Sequence, residues 1–578
     1  MSFFKYKINI LCACCLMVFA FLANAQQAKD TAGTMSINIE GAKRLVQDKT
    51  DTATIFRFYG DVRLSQGTTV MTCDTAFLNQ EANNMEAFGN VNIVQAGGTS
   101  VTSNYLRYTG NTKLAYLNGD VSLTDGKNSL WSEELNYDLG NKIGSYNNGG
   151  TLKSEATTVS SNIGVYHVKE KDARFSEDVY VTDPQYNVTS TDLGYNTETK
   201  MVTFFGSSTI ISDKSKLTTN SGTWDGKNEV AHFRERSSAE NKDQYIEADF
   251  LDYDKRTGIG IAKGNVYALD TAMHTTLYCG LAVYNEKTRQ TRAYQKPVMK
   301  KANVNDSLYI RADTFYVVPV NVQTDSIQTE KKELSSKTKI KKVVVADTMQ
   351  ADSTIKRFFI GFHHVLVFSD SLQARGDSIS FSQQDSIMRL MKDPIAWTRK
   401  GQITGDTIML FIANNKLDKL FIPKNAISVS RSGPEKANMY DQIQGKTMTG
   451  IFDSNVLKEI IVFPNAEAIY YATDDDGAYM GVNQASSDKM KVFFDSNKIE
   501  KIVFEQEIKQ TMTPMKQAKM EELRLNGFRW DEGLRPRSVS ELFMFESEEE
   551  KALEKQAEAT PKATEPKKET KKKKGKKK

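Results

Sequence analysis

The stretch YIEADFLDYDKRTGIGIAKGNVYAL, residues Tyr245–Leu269, holds one complete copy of a unit that repeats along the chain. It reads as a strand, a polar turn DKRTG and a second strand with Gly264 in its middle. Apolar residues that alternate with polar ones between Gly, Asp and Asn clusters predict strands joined by short turns, and therefore antiparallel neighbours.

The unit recurs along the chain in steps of 29 or 30 residues. The residues that end successive strands share this spacing and are mostly aromatic: Leu78, Tyr108, Tyr137, Tyr166, Tyr195, Trp224 and Tyr253. Self-similarity at such a period indicates a stack of supersecondary units. A leucine-rich repeat has a similar length, but its regular Leu spacing and helix are missing, so the repeat predicts strands throughout.

A glycine follows several of these marks by 11 residues and opens a short motif, GNV or GDV. The predicted strands are longer than the usual five or six residues. A mid-strand glycine allows such a strand to bulge and bend, so that its two halves join facing sheets. We assign this role to Gly60, Gly89, Gly119 and Gly264, and we treat glycine there as a preference because other units lack it.

The chain divides by composition into six segments. Residues 1–25 have basic Lys5 and Lys7, an apolar run and ANA before Gln26, which predicts a signal peptide cut after Ala25. A lipoprotein anchored at Cys14 or Cys15 is disfavoured, because too little apolar sequence precedes these cysteines.

Residues 37–320 form the main β-repeat domain, 321–355 a polar linker or insertion, 356–505 a second β-repeat module, and 506–550 a partly helical segment. Residues 551–578 hold 12 Lys against 4 Glu and predict a disordered basic tail, with anionic lipid or phosphate as a minority interpretation of its binding.

At Ile246–Val266 the sequence resembles the OstA-like family of lipopolysaccharide-transport proteins, which includes the periplasmic bridge protein LptA and the amino-terminal domain of LptD. The family pattern is an apolar residue, Ala-Asp, an apolar residue, Tyr-Asp, a turn, and then Gly-Asn-Val or Gly-Asp-Val. The residues that fill it are Ile246, Ala248, Asp249, Leu251, Tyr253, Asp254, Gly264, Asn265 and Val266. This chain is much longer than the bridge proteins, which leaves its position in the pathway open.

The resemblance implies an elongated all-β fold, a β-jellyroll or β-taco of antiparallel strands, here in two modules. It also implies a lipopolysaccharide-binding transport protein without catalytic residues, in the periplasm, with association with the outer membrane left open. The implied partners are lipid A acyl chains, other transport components including an outer-membrane barrel, and further copies joined head to tail. Alternating apolar residues near the glycines are expected to face inward, where they either contact lipid in a groove or fill an ordinary core: Val62, Leu64, Val91, Ile93, Val121, Leu123, Val179, Val181, Val266 and Ala268.

Other chemistries find weaker support in the sequence. His363 and His364 point to opposite faces of a strand, which disfavours a shared metal, and we expect no cofactor. Acidic clusters such as Asp249 with Asp252, or TDDDG ending at Gly477, favour turn formation over hydrolysis or calcium binding. Cys73 and Cys279 indicate separate buried thiols more than a disulfide. A nucleic-acid partner is not expected for an exported chain. The main alternative to transport is a structural or adhesive envelope protein, and a β-solenoid lyase is a distant third.

Overall fold

A computed structural model describes residues 35–49, 54–302, 307–320, 356–370, 372–398, 401–413, 416–454, 456–474, 476–495 and 498–544. The predicted signal peptide, the linker at 321–355 and the basic tail lie outside these residues. The predicted all-β fold is confirmed, because the described residues contain 44 strands and every pairing with a resolved register is antiparallel. The α-helix among them, α1 (Val539–Met544), has six residues, and no helix there could cross a membrane.

The chain divides into two compact units, at Ser208 and Thr209. The first unit contains the strands β1 (Asn38–Gly41), β2 (Arg44–Lys49), β3 (Thr54–Gln66), β4 (Thr69–Asn79), β5 (Asn84–Val94), β6 (Ser100–Thr109), β7 (Leu114–Thr124), β8 (Asn128–Asp138), β9 (Ile143–Tyr146), β10 (Gly150–Ser154), β11 (Thr157–Ser161), β12 (Ile163–His167), β13 (Asp172–Thr182), β14 (Tyr186–Asn196) and β15 (Met201–Phe204).

The second unit begins within a strand, and its described residues end with α1. Its strands are β16 (Ser208–Ser212), β17 (Lys216–Thr219), β18 (Ser221–Asp225), β19 (Val230–Arg234), β20 (Ser237–Glu240), β21 (Gln244–Ala248), β22 (Phe250–Asp254), β23 (Ile259–Asp270), β24 (Thr275–Asn285), β25 (Gln290–Tyr294), β26 (Val298–Lys301), β27 (Leu308–Arg311), β28 (Thr314–Pro319), β29 (Arg357–Phe368), β30 (Gln373–Ser382), β31 (Ile387–Met391), β32 (Ile395–Trp397), β33 (Gly401–Thr404), β34 (Thr407–Ala413), β35 (Lys416–Ile422), β36 (Ala426–Arg431), β37 (Tyr440–Gly445), β38 (Thr447–Asp453), β39 (Val456–Phe463), β40 (Ala466–Thr473), β41 (Tyr479–Ser487), β42 (Lys489–Asp495), β43 (Lys498–Glu505) and β44 (Lys509–Pro514).

Long strands bend at a pair of consecutive left-handed residues. Gly89 has φ 73° and Asn90 has φ 46°, and the register between β5 and β6 shifts between Phe88 and Val91. The same pair recurs at Gly60, Gly119 and Gly264, each with the residue that follows it. The two halves of a bent strand therefore belong to two facing layers, which confirms the role assigned to these glycines.

Two layers follow from this bend in each unit. The half of β8 near its start pairs with β10, and the half near its end pairs with β9, so the halves continue as separate short strands. We call the layer that contains β10 layer A and the layer that contains β9 layer B. In the second unit layer A includes β21, β26, β27, β33, β36 and β37, and layer B includes β22, β25, β28, β31, β34 and β38.

At four of the bends, an amide and a carboxylate 16 residues apart are hydrogen-bonded to each other. Asn90 donates to Asp74 at 2.8 Å and Asn265 donates to Asp249 at 2.8 Å. Two further bends carry the same contact with the amide and the carboxylate exchanged, Asn104 to Asp120 at 3.3 Å and Asn162 to Asp178 at 2.9 Å. This contact explains why an Asp precedes each of the two Gly-Asn pairs at these bends by 15 residues.

The predicted linker at 321–355 interrupts the chain between two strands that pair directly. β28 pairs with the first half of β29, from Thr314 opposite Phe362 to Pro319 opposite Arg357. The compact units divide at 208, so the predicted module boundaries at 320 and 356 stay predictions. In the described part of the predicted partly helical segment, 506–544, the structure has the strand β44, two 3-10 turns, Met520–Glu522 and Glu532–Leu534, and the helix α1.

We predict that Gly89→Ala destabilises the bend more than Gly126→Ala does. Both glycines have left-handed φ values, but a Cβ at Gly89 would lie 2.4 Å from Asp74 Oδ2, whereas a Cβ at Gly126 meets nothing within 4 Å. We expect a loss of ~1–3 kcal/mol of local stability for Gly89→Ala and less for the control. Native-state hydrogen exchange of β4 to β6 measures the difference, and equal losses would contradict the prediction.

Candidate functional site

The inner face of the first unit is a filled core. The eight predicted groove residues of this unit are each at most 2% exposed: Val62, Leu64, Val91, Ile93, Val121, Leu123, Val179 and Val181. Residues between them, such as Arg63 and Tyr180, are exposed, so the predicted alternation is present. Lipid could reach these eight side chains only if the two layers separated, and their role as lipid contacts stays a prediction.

Tyrosines close the edge of the first unit that lies away from the bends. Tyr137 on layer B donates to Gln95 Oε1 at 2.6 Å, and Tyr108 donates in the same way to Gln66. Tyr166 donates to Asp125 Oδ2 at 2.8 Å. The acceptors follow or end strand halves of layer A and lie 41 or 42 residues earlier in the chain. We call these contacts the tyrosine latches, because each joins the two layers across the edge.

The latches remain intact at neutral pH. Burial raises the pKa of Tyr108 to about 12 and also raises the pKa of Tyr137 and Tyr166. Only a protonated phenol donates this hydrogen bond. Because the folded-state pKa is raised, the contribution of the latches to stability is fully present below the unfolded pKa of about 10. This contribution is lost as the pH rises from there through the folded values.

The inner face of the second unit is only partly filled between β21 and β28. Leu277 lies opposite Ala268 on one side and Met299 on the other, and Ala268 lies opposite Ile246, so these side chains share the inner face of layer A. All four are partly exposed. We define the open groove by six partly buried apolar residues that pack against the core: Ile246, Leu251, Leu277, Met299, Leu308 and Val317.

Small side chains leave the floor of the open groove shallow. On layer B, Ala262 lies between Leu251 and Ala282, and Ala293 continues the row. Gly260 occupies the neighbouring inner row beside Tyr253. Side chains of this size cannot span the space between two layers, which stack about 10 Å apart. The larger groove residues therefore keep part of their surface exposed.

The latch is missing at the open groove. Tyr253 stands at the repeat position of the latch tyrosines, but its hydroxyl donates to Glu286 Oε2 at 2.6 Å, which follows β24 on the same layer. The residue 42 positions before Tyr253 is Ile211, which is 50% exposed and cannot accept a hydrogen bond. The change from Gln to Ile at this offset was available in the sequence as a signal that the layers are not joined here.

Of the ten predicted groove residues, two lie in the second unit. Val266 is 2% exposed and buried at the bend, and Ala268 is partly exposed within the open groove. The six residues that define the open groove were not predicted, although Ile246 and Leu251 are part of the family pattern. Their exposure depends on how well the space between the two layers is filled. The alternation of apolar and polar residues along a strand predicts which side chains face inward, but not how well that space is filled.

Polar clusters elsewhere have structural partners. His363 and His364 form a left-handed pair at the bend of β29 and contact different carboxylates, Asp377 at 3.0 Å and Asp313 at 2.7 Å. In the described residues no three His, Cys, Asp or Glu side chains converge on a metal-binding position. Burial raises the pKa of the Cys73 thiol to about 11 and that of Cys279 to about 12, and both thiols are free.

The acidic pairs considered as hydrolase candidates are also accounted for. Burial alone would raise the pKa of Asp252, but hydrogen bonds from Arg234 and His232 lower it overall. Asp474 accepts from the backbone N–H of Asp476 at 3.1 Å and of Ala478 at 2.8 Å, which is a turn contact.

Residues 34–192 match the family model described as OstA-like protein, which confirms the resemblance read from the sequence. No curated protein matches the chain. Among solved structures, the chain is similar to LptH, the LptA homologous periplasmic component of the conserved lipopolysaccharide transport device from Pseudomonas aeruginosa. The identity is 13%, over 25% of this chain and 95% of that one, with a TM-score of 0.20. The extracellular domain of a one component system from B. thetaiotaomicron is 9% identical over 77% of this chain and 97% of its own, with a TM-score of 0.08.

We predict that Tyr137→Phe loosens the first unit, whereas Tyr253→Phe leaves the second unit unchanged. The first substitution removes a buried interlayer hydrogen bond and leaves Gln95 unpaired, which costs ~1–3 kcal/mol. The second removes an intralayer contact at a partly exposed position. Hydrogen exchange of β5 to β8 and of β22 to β25 measures the two effects, and a similar increase for both variants would contradict the role of the latch.

Proposed function

We propose that this protein binds lipopolysaccharide noncovalently in the open groove of its second unit and carries it across the periplasm toward the outer membrane. The observation that supports this most is the row of partly exposed apolar side chains from Ile246 to Val317. In the described part of the first unit, the eight predicted groove residues are buried, and the latches of Tyr108, Tyr137 and Tyr166 join the layers at the edge. In this proposal the acyl chains of the lipid lie against the groove residues between layers A and B.

Apolar contact is sufficient for the binding that transport requires. Each CH₂ group removed from water contributes ~0.8 kcal/mol, so several acyl chains provide large affinity without a charged pocket. A groove without a dedicated polar pocket also permits the lipid to slide, because neighbouring positions have similar energies. Release at the end of transport then needs only a second groove of comparable affinity.

The choice of lipopolysaccharide rests on the family resemblance. The OstA-like match covers residues 34–192, and the motif at Ile246–Val266 repeats the same pattern beside the open groove. Location in the periplasm rests on the predicted signal peptide. Partners in this proposal are the other transport components, including an outer-membrane barrel, and further copies joined through terminal strands, whose free backbone groups favour strand addition. No catalytic step or cofactor is part of the proposal.

The filled core of the first unit is the observation that favours the alternative, a structural envelope protein without lipid cargo. A scaffold has no need for an open inner face, and the latched layers fit that description. The open groove is the feature that a scaffold does not explain. The two functions therefore predict different behaviour for the two units in the same cell.

We predict that photocrosslinkers at Leu277 and Met299 capture lipopolysaccharide in cells. The exposed Arg292, on β25, is the outward control and should not capture it, because it has no access to the groove. A crosslinker at Leu64 reports on the first unit and should capture none while the latches hold. Capture at Leu64 but not at Met299 would place the cargo in the first unit, and no capture at any site would leave the structural alternative.

Depletion of the protein in its native cell tests transport itself. Newly made lipopolysaccharide should accumulate inside and fail to arrive at the surface. Reintroduced wild-type protein should restore arrival, whereas a Leu277→Asp/Met299→Asp variant that folds normally should not. Normal arrival in depleted cells would remove transport as the function.

A further inference from the structure

We propose that residues 515–544, which we call the strap, form an outer layer that braces the open groove from behind, with Gln402 and Gln442 as its positioning residues. This inference rests on the proposed function only for the claim that the groove holds lipid. The packing of the strap against layer A does not depend on that claim. The strap packs on the outer face of layer A, the face opposite the groove.

Two buried glutamines hold the backbone of the strap by the same contact. Gln402 donates to the carbonyl of Arg529 at 3.2 Å and accepts from the N–H of Asp531 at 2.8 Å. Gln442 donates to the carbonyl of Leu523 at 2.9 Å and accepts from the N–H of Leu525 at 2.9 Å. Each glutamine side chain therefore makes the two hydrogen bonds to the strap backbone that a neighbouring strand would otherwise make.

The glutamines flank an apolar patch, formed by Ile427, Val429 and Tyr440, that the strap covers. Gln402 and Gln442 both lie opposite Val429, one from β33 and the other from β37. Phe528 and Trp530 of the strap contact this patch, and each ring lies 5.3 Å from that of Tyr440. A third glutamine, Gln373, lies 29 residues before Gln402 and also contacts the strap, since it accepts from Arg535 at 2.5 and 3.0 Å.

The strap ends directly behind the open groove. Its helix α1 contacts β27 and β29, and Leu542 is fully buried. Phe543 packs against Tyr278 with 5.4 Å between the ring centroids. Tyr278 is the outward neighbour of Leu277, so one strand is covered on its outer face at the point where its inner face is open. A six-residue helix is not stable alone, and its position depends on the attachment of the strap.

A sheet layer needs at least one well-buried face. In the first unit the inner face supplies this burial. At the open groove the inner face is partly exposed, and the strap supplies burial from the other side. The groove can therefore stay open without unfolding β24, β26 and β27.

Hydrogen exchange of the full chain tests the brace with two independent variants. Leu542→Glu removes the buried contact of α1, and Gln402→Ala/Gln442→Ala releases the strap upstream of it. Met544→Glu, at a position 69% exposed in the same helix, and Gln484→Ala, at an exposed site opposite Ile469 on layer A, are the matched controls. Leu542→Glu changes the strap itself, whereas Gln402→Ala/Gln442→Ala shortens two side chains of β33 and β37 that hold it, so neither variant alters the backbone pairing between strands.

We expect both test variants to raise amide exchange in β24, β26 and β27 by roughly tenfold, since each removes buried contacts worth about one or more hydrogen bonds, while β5 to β8 and both controls stay at wild-type rates. Exchange that rises in the strap alone would overturn the proposal. Crosslinking of lipid at Met299 should fall in the same variants. If the wild-type chain captures no lipid, the proposed function fails, but the exchange result still decides whether the strap braces the groove.

Discussion

The long strands bend at two consecutive left-handed residues, and the two-layer architecture follows from this bend. It forces each long strand to enter two layers and fixes which side chains face inward on both. The hydrogen bond from Asn265 to Asp249 stabilises this bend through exposed side chains, outside the core. The two units differ in how the space between the two layers is filled.

The two units complete the inner face in different ways. In the first, side chains such as Leu64 and Ile93 fill the space, and Tyr137 joins the layers at the far edge. In the second, small residues leave space between β21 and β28, and burial moves to the outer face under the strap. The same repeat thus produces a closed stack and an open groove by changing a few residues per unit.

Much of this could be predicted from the sequence, and the failures have physical causes. The bends at Gly60, Gly89, Gly119 and Gly264 were predictable, since glycine adopts left-handed conformations readily. The bend at His363 and His364 was not, because non-glycine residues carry no comparable mark. The latch tyrosines were found by their spacing, but their role depends on acceptors about 42 residues away. The stretch at 515–528 has a helical composition, yet it forms turns and one 3-10 turn, and Gln442 binds its backbone at Leu523 and Leu525.

Hydrogen exchange of the full chain with and without lipopolysaccharide distinguishes lipid binding in the open groove from binding elsewhere. We expect bound lipid to protect β21 to β28 and to leave the exchange of β3 to β8 unchanged, because the first unit is filled and latched. Protection in β3 to β8 without protection in β21 to β28 would contradict this expectation.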